Sequence, residues 1–351
     1  MQKTTAKKTL LKAWLSFSDF FYTTVEALPS TIFTLVATLP ILIFWLLMVY
    51  KKPINHLPAI FYQDQLIQTA SSWFNLPQDP TSLPASFLIF GLHTINISLF
   101  LYLARPCLSK LMLLWACWYI GIHPSHQLWL GKIEYLPYLL ECMMGLITII
   151  SIKKICSTNP IPLKRFFLIA LMLGLWLPIN IWFGAGCTTL AAAYFWPLPT
   201  TQLTILMSSY AIAQLITIVQ GFTINATAFF LNLRQTLVAL FGLGWIPSSQ
   251  QWLRYCFLIF WAASLIGLFL HTTKRRQAGL LLLAITAYLV PQIFIKMHPA
   301  YVYIALPAFI TSLGLLYENT GEADMRSVIK SLIIPIYASF LFNVVMILFW
   351  A

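Results

Sequence analysis

Residues 31–50 read TIFTLVATLPILIFWLLMVY, twenty positions with no charge and one proline. A helix needs about 20 apolar residues to cross the hydrocarbon core of a bilayer, and this stretch meets that need on every face. Working outward, comparable runs recur at 84–104, 108–122, 133–152, 165–184, 202–221, 232–247, 252–271, 278–295, 300–317 and 329–350. Segment 185–198 (AGCTTLAAAYFWPL) is short and broken by Pro197, so it reads as re-entrant or interfacial. The expectation is an all-α polytopic membrane protein with about eleven transmembrane helices and a single domain over 1–351.

Composition agrees with that count. Of 351 residues, 60% are hydrophobic and 9% charged, where a soluble domain carries roughly 25% charge. Twenty-one Lys and Arg with nine Asp and Glu cannot give a 40 kDa chain a solvated skin, which excludes a soluble enzyme and a disordered chain. The net charge of +12 comes in short clusters between apolar runs, the pattern of topology signals and not of a phosphate-binding face. Six cysteines without CxxC spacing read as packing thiols.

Charge by loop sets the orientation. With the N-terminus inside, the inner side receives Lys3, Lys7, Lys8, Lys12, Arg105, Lys110, Lys153, Lys154, Lys164, Arg165, Arg234, Lys274, Arg275, Arg276, Arg326 and Lys330. The outer side keeps Lys51, Lys52, Lys132, Arg254 and Lys296. Sixteen against five follows the positive-inside rule, and predicts a bacterial cytoplasmic membrane with the N-terminus cytoplasmic. Residues 1–28 read as a basic, aromatic segment lying in the inner interface, without the cleavage site of a signal peptide.

The scarce polar residues then collect outside. The outer loop 51–83 contains a stretch from Pro58 to Phe74 that reads as an interfacial amphipathic helix, with Asp64 as its one acid. A carboxylate at that boundary suits proton abstraction from a bound hydroxyl; a solvated helix face is the plain alternative. The next outer loop runs Ile122-His123-Pro124-Ser125-His126, with Lys132 and Glu134 beyond it. His123 and His126 offer metal-binding nitrogens, but no acid or cysteine joins them at a recognised spacing. No cofactor is assigned, and a divalent metal stays open. Late in the chain, Lys296-Met-His298-Pro299-Ala-Tyr301-Val-Tyr303-Ile-Ala-Leu-Pro307 re-enters the membrane. Lys296 with His298 suits an anionic head group, while interfacial anchoring alone explains tyrosines.

This order resembles the GT-C membrane glycosyltransferases, in particular the protein O-mannosyltransferase and TMTC-type branch, without its repeats. A first span is followed by a long outer loop with an acid, then a span with His93-Thr-Ile-Asn96, then the His123-Pro124 turn, then the Tyr301-x-Tyr303 segment. The resemblance implies transfer of a sugar from a polyprenyl-phosphate carrier to a protein or glycan acceptor on the outer face. It implies Asp64 as catalytic base. His93, His123, His126, Lys132, Arg254, Lys296, His298, Tyr301 and Tyr303 would hold substrate and phosphate. Where relatives have adjacent acids this chain has Gln63-Asp64, and where TMTC-type relatives have Arg before the tyrosines it has Ala300. Two other readings stay open: a catalytically inactive binding or assembly subunit of the same fold, and a transporter or lipid flippase.

Overall fold

Runs that are apolar all round can satisfy their backbone in an apolar surrounding only within the segment itself, which selects helix. The computed structural model describes residues 20, 23–51, 83–123, 136–155, 229–243, 250–273, 299–319 and single helical positions between 278 and 293. These form seven long helices, α1 Ser30–Lys51, α2 Leu83–Ala104, α3 Lys110–Gly121, α4 Leu136–Ile155, α5 Phe229–Leu240, α6 Gln251–His271 and α7 Pro299–Glu318. Among the described residues there is no β-strand. The expected spans at 165–184, 202–221 and 329–350, the 185–198 segment and the interfacial helix within 51–83 lie outside the described residues.

Two helical stretches, Phe87–Ala104 and Gln251–His271, are long and apolar enough to cross a membrane. Their outward faces carry the same message as their composition. Along α6 only Trp261, Ser264 and Leu268 are buried, on one stripe, while Trp252, Tyr255, Ile259, Ile266 and Leu270 are exposed. In α1, Phe33, Ala37, Ile41, Phe44 and Trp45 face inward, and Ile32, Leu35, Leu39, Leu42, Ile43 and Leu46 face out. A soluble bundle would put charge on that second face; here both faces are apolar.

Helices α3 and α7 together form the middle of the arrangement. Helix α3 packs against α1, α2 and α7, while α7 also meets α4, α5 and α6. At twelve residues α3 is about 18 Å long, well short of a hydrocarbon core of about 30 Å. Both of its ends are therefore finished by other parts of the chain. At its start Ser109 is the N-cap, accepting from Met112 N. The Glu318 carboxylate accepts from Ser109 N at 2.8 Å, and the Glu26 carboxylate from Leu111 N at 3.2 Å. Two carboxylates at a helix N-terminus oppose the positive end of its dipole. Lys110 Nζ donates to the carbonyls of Glu26 and Leu28, and Arg105 donates to Ser30 Oγ at 2.6 Å. Thr273 N donates to Asn319 O, tying the ends of α6 and α7 together.

Two expectations are corrected here. The apolar run 232–247 does not continue as helix to 247. Helix α5 stops at Leu240, where Phe241 N bonds Leu237 O and Gly242 adopts φ 65°, a left-handed conformation that ends a helix cheaply only at glycine. Arg234 was expected on the opposite membrane face from Arg254. Its guanidinium instead lies 5.8 Å from the ring of Tyr255, the neighbour of Arg254. No side chain reaches across a hydrocarbon core of about 30 Å, so the two arginines share one end of the bundle.

Helices α1 and α3 approach closely at Gly121, where an added Cβ would overlap the Ile41 side chain of α1. Gly121→Ala is expected to cost about 1–3 kcal/mol through that overlap. Gly91, with nothing within 4 Å of its Cβ position, is the control: Gly91→Ala should hold or raise stability by about 0.5–1 kcal/mol. Thermal unfolding of the detergent-solubilised protein separates the two.

Candidate functional site

At the end of α3 away from Ser109, five helices meet through side-chain hydrogen bonds. Trp45 Nε1 of α1 donates to Gly121 O at 2.7 Å. His93 Nε2 of α2 reaches the same carbonyl at 3.0 Å, and His93 Nδ1 lies 2.9 Å from the Tyr303 hydroxyl of α7. Asn96, one turn after His93 on the same face of α2, donates from Nδ2 to Leu139 O of α4 at 3.0 Å and to the Tyr303 hydroxyl at 3.1 Å. Gly121 O can only accept, so the hydrogen of His93 sits on Nε2. Nδ1 is then an acceptor, and Tyr303 donates to it while accepting from Asn96. The proton positions are assigned from the partners, and they form one directed relay from Asn96 through Tyr303 and His93 to Gly121 O.

The surroundings are dry and aromatic. His93 is 0% and Tyr303 1% exposed. Trp45 packs edge-on against Phe90 and His93, with ring centroids 5.6 and 6.0 Å away. Asn96 is held in one orientation by Leu139 O, which accepts only from its Nδ2. The other side of that amide, Oδ1, is buried without a hydrogen-bond partner among the described residues.

A second set of donors finishes α5. Leu240 O, at the helix end, accepts from the Tyr119 hydroxyl at 3.0 Å and from His123 Nε2 at 3.3 Å. Tyr119 and His123 stand edge to face, 4.9 Å apart. Two further carbonyls are met in the same way. Pro40 has no N–H for Val36 O, and Trp118 Nε1 of α3 approaches that carbonyl at 3.4 Å. Asn232 Nδ2 donates to Ile293 O at 2.7 Å.

The predicted site residues thus divide. His93, His123 and Tyr303 are fully buried and bonded to backbone or to one another. Arg254 lies on the first turn of α6, near Arg234, and Tyr301 on the first turn of α7. Asp64, His126, Lys132, Lys296 and His298 lie outside the described residues. Among the described residues no three His, Cys, Asp or Glu side chains gather as a metal site. The sequence assigns no site role to Trp45, Asn96, Tyr119 or Gly121, although Asn96 stands in the His93-Thr-Ile-Asn96 run. The i, i+3 spacing of His93 and Asn96 was the signal available for one of them.

What this arrangement does chemically is fix backbone. Its side chains hold the ends of α3 and α5 and the entries of α4 and α7. No protein-family model, curated protein or solved structure matches the chain.

Removing the Tyr303 hydroxyl should leave His93 and Asn96 each one partner short. Tyr303→Phe is expected to cost about 1–3 kcal/mol, with a coupling of about 0.5–3 kcal/mol to His93→Ala in a double-mutant unfolding cycle. At Leu240 O the two donors back each other up. Tyr119→Phe and His123→Leu should each cost about 0.5–1.5 kcal/mol, and together about 1 kcal/mol more than their sum, because only the double variant strips both.

Proposed function

We propose that this chain is a polytopic membrane glycosyltransferase of the GT-C type, with about eleven transmembrane helices. It moves a sugar from a polyprenyl-phosphate carrier to a protein or glycan acceptor at the outer face of a bacterial cytoplasmic membrane. The observation that supports this is the convergence of three motif-bearing segments on one knot of hydrogen bonds. His93 and Asn96, Gly121 at the root of the His123-Pro124 turn, and Tyr303 just after Lys296-Met-His298 are bonded together directly. Segments that are far apart in sequence thereby open from the same end of the bundle, as a site assembled from several loops requires.

In this reading the buried His93, His123 and Tyr303 act as scaffold, and the chemistry falls to the loops beside them. Asp64 takes the proton from the acceptor hydroxyl. The acceptor oxygen attacks the anomeric carbon, the bond to the phosphate oxygen breaks with its electron pair, and the configuration inverts. Lys132, Arg254, Lys296, His126 and His298 supply the positive charge that the leaving phosphate needs. The burial of three expected ligands also favours a second reading, a catalytically silent subunit of the same fold.

One measurement separates them. The purified protein is supplied with polyprenyl-phosphate mannose or polyprenyl-phosphate glucose and a hydroxyl acceptor peptide. Asp64→Asn should lower transfer by about a hundredfold or more, the scale of a lost general base. Transfer by the variant at the wild-type rate would overturn the assignment of Asp64, and no turnover by either form would favour the silent subunit.

A further inference from the structure

Helices joined by a short connection normally lie antiparallel, because the chain turns back on itself. Helices α5 and α6 are joined by residues 241–250, yet their contacts advance in the same direction. The Arg234 guanidinium of α5 lies 5.8 Å from the ring of Tyr255 in α6. Further along both, Phe241 meets Trp261 with ring centroids 4.6 Å apart. The steps from Arg234 to Phe241 and from Tyr255 to Trp261 are each about 10 Å of helix rise, so the two helices run parallel and in step. An antiparallel pair touching at Arg234 and Tyr255 would carry Phe241 beyond the start of α6.

Helix α7 gives the same direction independently. Asn232 Nδ2 bonds Ile293 O, ahead of α7, at 2.7 Å, while Phe241 meets Phe309, halfway along α7, at 5.5 Å. Helices α6 and α7 are parallel in turn. Trp261 faces Phe309 at 6.3 Å, Leu268 packs with Leu316, and Thr273 N donates to Asn319 O. All three helices therefore start at one end of the bundle, the end of the Tyr303 relay.

They do not finish together. The 21 residues of α6 rise about 31 Å and the 12 of α5 only about 18 Å. Trp261 is the middle residue of α6, so Phe241 beside it stands about halfway along. There Gly242 turns the chain, and Leu240 O takes the Tyr119 hydroxyl and His123 Nε2. Leu240, Phe241 and Leu243 are buried at that level, which encloses the break in protein, as irregular backbone inside a membrane requires. Gln250, the N-cap of α6, is back at the starting end. The stretch from Leu243 to Gln250 can span about 24 Å when extended, more than the roughly 15 Å to be covered.

We infer that α5 is a re-entrant half-helix, which enters by the membrane face where α6 and α7 begin and stops about halfway, the chain leaving by the same face. Because both limbs open on one face, α5 can withdraw without drawing any chain through the membrane, as a spanning helix cannot. Tyr119 and His123 are the latch that seats its tip. This concerns the path of the chain and is independent of the transferase reading.

The test is pulsed EPR on the full chain in liposomes. Nitroxides are attached in pairs, through genetically encoded amino acids, at the exposed positions Phe230, Trp252 and Leu270. The 252–270 pair lies within α6 and is a ruler of about 27 Å. The 230–252 distance should be shorter than the 230–270 distance by about 10 Å or more. A 230–270 distance equal to or shorter than the 230–252 distance, as an antiparallel spanning α5 demands, would overturn the half-helix. In the Tyr119→Phe/His123→Leu variant the 230–270 distribution should lengthen or broaden while the ruler stays unchanged. An unaltered 230–270 distribution in that variant would overturn the latch.

Discussion

A helix end buried among apolar side chains leaves carbonyls that water cannot reach, and each one left without a donor costs about 1–3 kcal/mol. That constraint accounts for most of the polar chemistry in this bundle. Gly121 O takes Trp45 and His93, Leu240 O takes Tyr119 and His123, and Val36 O, freed by Pro40, takes Trp118. Buried hydroxyls such as Thr236, Ser264 and Thr311 bond within their own helix, whereas the buried indole, imidazole and amide donors that bond backbone here reach a carbonyl of another helix or segment. These are also the bonds that fix which helix lies beside which, because apolar packing is tolerant of sliding and a hydrogen bond is not.

Seen this way, the two ends of α3 have different characters. Its start is held by charge: Glu26, Glu318 and Lys110 act together with the Ser109 cap. Its finish is held by neutral groups, an indole and an imidazole whose tautomer is set by Gly121 O itself. A charged brace suits an edge where ions keep some solvation, whereas a neutral relay avoids the desolvation cost of an ion in a dry interior. Arg105 joins the charged end of α3, and Leu139 and Tyr303 the neutral one.

The sequence carried the helices well where composition alone decides them. The runs 84–104, 252–271 and 300–317 match α2, α6 and α7 to within a residue at each end. It failed at 232–247, because the apolar run continues past the point where Gly242 turns the chain. Loop arithmetic put Arg234 and Arg254 on opposite faces, since counting crossings cannot detect a helix that stops after twelve residues. His93 and His123 stand out in the sequence, but a histidine that caps a helix and one that holds a ligand look alike there. What distinguishes them is the carbonyl each faces, and His93 meets Gly121 O only once α2 and α3 have packed. The match of Pro40 with Trp118 is equally invisible until α1 lies against α3.

The shortness of α3 also bears on how the chain is made. A twelve-residue helix is a poor candidate for insertion by itself, and the groups that finish it are spread along the polypeptide. Trp45 and His93 precede it, but Tyr303 and Glu318 are synthesised about 180 residues or more after its last residue, Gly121. Until α7 emerges, the start of α3 lacks one of its two carboxylates and the imidazole at its finish lacks the Tyr303 hydroxyl at Nδ1. Assembly of the core must therefore be completed late, with α7 arriving as the element that locks helices made well before it.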